Sequence, residues 1–273
     1  MRADTTVIDE ISTNGAAVLG VTSIGDELFA LLPKDVDQVA VYSTINDYQL
    51  LRHLNVPDLK PGFNNDMVSC VRRGRRLYFL DYSTRCVRKY ELASSSTSIW
   101  PVSGLPCGLS VTPSGNLLVT CRSPNKLVEL SGESGEQVRE IALHKDIGSP
   151  RHGVQLANGQ FIVCHGGVSE TLHRVCLVDE RGKMKGSYGG KEGSDDRRLN
   201  WPRHLAVDQD SETIFVADWM NGRVLLLTSK LEFVGYATAG KCDPVRLHLD
   251  DAANHLYVGE GLSMVGGIMV IKW

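Results

Sequence analysis

The chain has 273 residues, 42% hydrophobic and 22% charged, with a formal net charge of −3. That balance suits a globular protein with a large buried core and gives no pull toward DNA or an anionic membrane surface. No apolar run approaches the roughly 20 residues that cross a bilayer, and the first residues lack the apolar stretch of a secretory leader. Seven cysteines without regular spacing argue against a disulfide framework or a zinc ribbon; buried thiols in a cytoplasmic, reducing setting are expected instead.

In chain order, the segment from Thr5 to Ile11 comes first, apolar at Val7, Ile8 and Ile11 but with no obvious neighbour. From about Val18 a pattern then recurs. Its most apolar part appears as Leu28-Phe-Ala, Leu77-Tyr-Phe, Leu117-Leu-Val, Phe161-Ile-Val, Ile214-Phe-Val and Leu256-Tyr-Val, at intervals of 40 to 53 residues. A further apolar run follows each, among them Val39-Ala-Val-Tyr, Leu127-Val-Glu-Leu, Val224-Leu-Leu-Leu and Ile268-Met-Val-Ile. Four copies are preceded by a segment that opens on proline: Pro106-Cys-Gly-Leu, Pro150-Arg-His-Gly, Pro202-Arg-His-Leu and Pro244-Val-Arg-Leu. Proline suits a strand's first residue, where its missing N–H need not enter the ladder. More polar fourth runs span Tyr48 to Leu54, Val138 to Leu143 and Phe233 to Thr238, and Ser94 to Ser98 reads as a polar turn.

Four short strands in about 40 to 50 residues is the period of a propeller blade. Six copies predict an all-β, six-bladed β-propeller occupying residues 1–273 as a single domain. The sixth copy stops after its third strand, at Lys272-Trp273. The segment Thr5 to Ile11 is therefore expected to complete the last blade, closing the ring and removing an exposed sheet edge.

The stretch from Trp201 to Val224 resembles an NHL repeat. The resemblance lies in Pro202-Arg-His-Leu-Ala-Val-Asp208, Val216-Ala-Asp218 and Asn221-Gly-Arg-Val224; the other copies match less closely. It implies a six-bladed propeller that serves as a binding platform for protein or RNA rather than as an enzyme.

Propeller connectivity puts the links between blades and the turns between second and third strands on one face. The expected site gathers there: Arg151, Arg203 and Arg246 as cationic anchors, Trp201 and Trp219 as aromatic ones, and His152, His204 and His165 beside them. Arginine and tryptophan contribute most per residue at such surfaces. A docked protein partner is the first expectation and RNA the second. His152, His204 and Arg246 occupy corresponding places in their repeats and together suit an anion. Asp218 is expected to bond turn amides. The basic run Val71-Arg-Arg-Gly-Arg-Arg-Leu77 falls at a hairpin tip on the opposite face and reads as a solvated turn.

No phosphate-cradling glycine loop, nucleophile elbow or His-Glu-x-x-His run occurs. Fold analogy supplies one enzymatic alternative, a divalent-metal hydrolase or lyase of the six-bladed kind. Neither a metal nor another cofactor is expected, because the positions corresponding to His152 and His204 in repeats three and six are Gly108 and Arg246, with no carboxylate among them.

Overall fold

The computed structural model describes residues 5–33, 38–59, 65–70, 75–167, 170–238, 242–261 and 266–273. Six four-stranded antiparallel sheets form a ring of blades. The one helical element among the described residues is a 3-10 turn, Trp219–Asn221. The innermost strands are Gly20–Ile24, Asp66–Cys70, Leu105–Val111, Pro150–Gln155, Pro202–Asp208 and Pro244–Asp250. The last blade is completed by Thr6–Ser12, which pairs antiparallel with Gly267–Lys272, Ile11 opposite Ile268. The ring closes as expected. In blade two the polar Ser96–Pro101 is itself the fourth strand, so the expected turn is shorter than its serine run suggested.

Each second strand is buried on both faces, which explains its unbroken apolar run. Leu28 and Ala30 pack toward blade six, against Tyr257, Ile268 and Val270. Phe29 and Leu31, one residue out of phase, pack toward blade two, against Leu77 and Phe79. Period-2 alternation thus serves two cores instead of a core and a solvent face. Ile214 and Val216 likewise face blade four, while Phe215 and Ala217 face blade six. Burying each such large side chain contributes about 1.5–3 kcal/mol. The fourth strands are the exposed ones, as their polar sequences require: Leu50–Asn55 is open along nearly all its length.

One local feature positions the site. In blades three to six the innermost strand slips register once, between Pro106 and Gly108, Pro150 and His152, Pro202 and His204, and Pro244 and Arg246. Such a bulge inserts one unpaired residue and re-aims the side chains on either side. The inserted residues are Cys107, Arg151, Arg203 and Val245. The residues after them, including His152, His204 and Arg246, take the next inward position.

Candidate functional site

Two constellations arise at the link face of the channel, one residue apart in sequence and different in character. The inner one is centred on Asp66, the first residue of blade two's innermost strand and 2% exposed. Asp66 Oδ2 accepts a hydrogen bond from Leu109 N at 3.0 Å and one from His204 Nε2 at 3.3 Å, with His152 Nε2 at 3.7 Å. Arg246 Nε lies 3.5 Å from Asp66 Oδ1 and donates to Leu19 O at 2.7 Å, and another of its nitrogens donates to Asn65 O. The two imidazoles stack with centroids 3.7 Å apart. Blades one to six therefore all meet at this knot, through Leu19, Asp66, Leu109, His152, His204 and Arg246.

Its protonation follows from its partners. Leu247 N donates to His204 Nδ1 at 3.3 Å, so that ring carries its proton on Nε2, facing Asp66. His152 Nε2 lies 3.0 Å from Leu109 O, an acceptor, and is protonated too. Burial alone would raise the Asp66 pKa; His204 and then Arg246 outweigh it and hold the carboxyl well below the usual range. Burial, reinforced by His204, pushes His152 down to about 3, and burial lowers His204 against the pull of Asp66. The knot is an ionised Asp66, a protonated Arg246 and two neutral imidazoles. The anion expected near His152, His204 and Arg246 is present, and it belongs to the chain.

Among the described residues, Asp66, His152 and His204 are the group whose ligand atoms, within 4.8 Å of one another, are close enough to share a metal ion. They do not suit one. Both rings present N–H rather than a lone pair toward the carboxylate, and a guanidinium sits 3.5 Å from Asp66. A cation there would displace every one of these bonds.

The outer constellation is built from the bulged residues. Arg151 and Arg203 line a narrow recess with Gly166, Trp201, Pro202 and Trp219. The Trp201 and Trp219 rings stack, centroids 4.9 Å apart and planes 18° apart. Arg151 lies over Trp201 at 5.5 Å, Arg203 over Trp219 at 4.7 Å, and Arg122 over Tyr82 at 5.8 Å. Arg151 Nε donates to Gly166 O at 3.1 Å, and Trp219 Nε1 donates to Asp243 Oδ1. Burial and then Arg122 lower the Arg151 pKa. Burial, Arg246 and Arg151 push Arg203 down to about 9, still protonated at neutral pH. Trp201 itself adopts φ 58°, a left-handed conformation unfavourable for a large side chain. It is held there by Trp201 N donating to His173 Nδ1 at 3.1 Å and by Trp219 N donating to Trp201 O at 3.3 Å. Beyond the knot, a separate cavity of about 170 Å³ is lined by all six innermost strands, including His152, His204 and His248.

Of the expected site residues, Arg151, Trp201, Arg203 and Trp219 come together in the recess. His152, His204 and Arg246 are buried in the knot, at 2%, 6% and 5% exposure. His165 is 1% exposed and its Nε2 accepts from Arg174 Nε at 3.2 Å, while burial and Arg174 push it down to about 4. These four are not displayed to a docking partner. Asp218 reaches beyond its turn, accepting from Asn200 N in the inter-blade link and from Arg223 Nε at 2.7 Å each, with Asn221 Nδ2 its contact in the turn. Asp81 does bond the backbone amides of its turn, Ser83 N and Thr84 N, and pairs with Arg88. Within the basic run, residues 71–74 lie outside the described residues; Arg75 pairs with Glu27, and Arg76 with Glu91 and Glu133.

Asp66 is the residue that sequence reasoning missed: it fills, in blade two, the first-strand position held by Gly108, His152, His204 and Arg246 in blades three to six, where no carboxylate was expected. Its signal was register. Asp66 pairs with Leu80, one residue before the strand-ending Asp81, as His204 pairs with Ala217 before Asp218.

No protein-family profile and no curated protein matches this chain. Solved structures do match it over full length. A catalytically inactive variant of virginiamycin B lyase from Staphylococcus aureus, with quinupristin, superposes with TM-score 0.65 at 10% identity, covering 99% of this chain and 100% of that one. Kuenenia stuttgartiensis hydrazine synthase gives 0.66 at 14% identity, covering 100% and 99%. A streptogramin B lyase gives 0.62 at 11%, covering 98% and 97%. At these identities the likeness is one of fold. The expected non-catalytic platform for protein or RNA is corrected by the structure, which buries His152, His165, His204 and Arg246, half of the proposed docking surface; the matched propellers that are lyases by name show that this fold also serves enzymes. Among the described residues no helix is long and apolar enough to cross a membrane.

Proposed function

We propose that the protein is an enzyme that works on a small molecule taken into the recess at the link-face mouth. The observation that carries this is the outer constellation itself: Arg151 and Arg203 laid on the stacked Trp201 and Trp219 around a narrow opening. A concave site with aromatic walls and perturbed titratable groups is a mark of small-molecule handling; the recess is tight, about 10 Å³, so a ligand enters only as the arginines lift from the tryptophans. A macromolecular surface would display its cations instead. The full-length likeness to virginiamycin B and streptogramin B lyases supports an elimination as the first reaction class to test. Since the knot's donors do not suit a divalent ion, charge developing in a reaction at this mouth would be met by guanidiniums. Kinship with NHL repeats is supported by blade five, where Asn221 and Arg223 both donate to Asp218.

The test is to incubate the protein with a complex metabolite extract and follow every compound by mass spectrometry. A Cβ at Gly167 would stand 2.6 Å from Arg151 Nη2 and 3.1 Å from Trp201 Nε1, so Gly167→Leu obstructs the recess. At least one compound should be consumed by the wild type and spared by the variant. Consumption of none, or equal consumption by both, would refute the reading.

A further inference from the structure

The cavity beyond the knot is a second place where the chain can hold a small molecule, independent of the recess at the link face. We infer that it binds a neutral compound about one ring in size, with an apolar body and a carbonyl oxygen that accepts a hydrogen bond from His248 Nδ1.

The cavity, about 170 Å³, lies between the later residues of the innermost strands, among them Val68, Val111, Val154, Leu205 and Leu249. Its inner end is the knot, whose bonds cross the channel from His204 and Arg246 to blade two. The channel is therefore a blind pocket that opens toward the hairpin face. A cavity of about 150 Å³ with aliphatic walls is enough for a benzene ring, so this one has room for a ring with a short substituent.

Most polar side chains that reach the cavity are already spent. Ser110 Oγ donates to Gly153 O at 2.7 Å, and Thr22 is not free. Both His204 nitrogens are bonded in the knot, while His152 turns Nε2 to Leu109 O and keeps Nδ1 buried. His248 differs. Ser23 N, which can only donate, lies 3.0 Å from His248 Nε2, so Nε2 is the acceptor and Nδ1 carries the proton. Ser23 Oγ stands 2.8 Å from the same nitrogen and donates to Asp250 Oδ2 at 2.7 Å, which fixes the serine. The ring also lies parallel to Tyr257, planes 14° apart. Among the described residues nothing bonds His248 Nδ1, and unlike His152 Nδ1 it is not sealed off. A held N–H on the wall of an apolar pocket selects a ligand oxygen and orients the body behind it.

Charge narrows the class. Burial pushes His248 down to about 4 against the pull of Asp250, so the donor is neutral at neutral pH. Asp208 and Asp250 end the strands just beyond Val207 and Leu249. The Asp251 pKa is raised by burial and then by Asp208, Asp210 and Asp250, so an anion meets like charge at this entrance. An amine would offer its protons to a nitrogen that already carries one.

The experiment titrates the full chain, its histidine ring nitrogens isotopically labelled, with acetophenone, isopropenylbenzene and benzoate, by calorimetry and NMR. In isopropenylbenzene a methylene replaces the ketone oxygen at nearly constant shape. Acetophenone should bind about fivefold more tightly than isopropenylbenzene, the worth of one neutral hydrogen bond, and should shift the His248 Nδ1 resonance. It should also bind at least about tenfold more tightly than benzoate, whose charge would have to be dehydrated. His248→Phe should abolish the preference for the ketone, and His248→Gln, which restores an N–H donor, should recover part of it. Equal affinity for ketone and alkene would overturn the hydrogen bond, and benzoate binding as tightly as the ketone would overturn the neutral class. Binding that leaves the His248 resonance unmoved, or a preference that survives in His248→Phe, would place the ligand elsewhere and overturn the site. If no compound binds, the cavity holds water only and the inference fails, while the reading of the recess stands. Should His248→Phe not fold, the three affinities and the His248 shift in the wild type decide.

Discussion

At Asp66, burial and charge pull in opposite directions, and the outcome sets what the centre of the ring can do. Burial favours the neutral acid, but a guanidinium and three N–H groups surround the carboxylate and keep it ionised. The bonds are mutual: without the charge on Asp66, Arg246 would be a cation buried at 5% exposure without its counter-charge. Asp66→Asn, which keeps the shape and removes the charge, should therefore destabilise the fold by about 3–5 kcal/mol. Urea unfolding of the two proteins measures this, and a loss below about 1 kcal/mol would show that the ion pair is dispensable. Trp201 illustrates the opposite case, a residue whose own backbone preference is overridden so that its ring can be placed.

Among elements, the strands explain what could be read from sequence and what could not. Runs such as Ile214 to Ala217 announce a strand buried on both faces, and their spacing gave six blades. The segment Thr5 to Ile11, outside the repeat, could be placed only because the sixth copy lacked a fourth strand. Its role makes a clear expectation: removing residues 1–12 would bare the edge of Gly267–Lys272 and expose the buried Ile11 contact. A loss of at least about 3 kcal/mol in packing and ladder bonds should lower Tm by about 5–10 °C and promote aggregation; thermal unfolding with light scattering reads both, and an unchanged Tm would deny the strand its closing role. The bulges were not legible. Pro-Arg-His reads as three consecutive strand residues, and simple alternation cannot tell which of Arg203 and His204 turns inward. One unpaired residue per strand decides it. That is why the sequence pointed to the right loops but assigned the anion to His152, His204 and Arg246, and why Asp66, on a strand lacking that motif, went unseen.

For the whole molecule, buried imidazoles tie stability to pH. His152 is held down to about 3, His165 and His248 to about 4, and His204 is lowered as well, burial being the first cause for all four. Each folded-state value lies below that of the unfolded chain, near 6.5, so the native state binds fewer protons across the interval between. Stability is then fully present above about pH 6.5 and declines as pH falls, by about 1–2 kcal/mol at about pH 5 for each of His152, His165 and His248, with His204 adding in the same direction. Asp218, Asp251 and Glu260, raised by burial, act in the opposite sense: their contribution is lost as pH rises through their folded values, and it offsets part of the histidine effect. Urea midpoints should fall by several kcal/mol equivalents between about pH 7 and pH 5. A flat profile would mean that these rings accept protons without cost.

The sealed character of the knot can be seen directly in a crystal soaked with manganese(II), whose anomalous scattering locates the ion. The expected result is no manganese at Asp66, with Asp66 still bonded to His204 and Leu109. Manganese held among Asp66, His152 and His204 would contradict it.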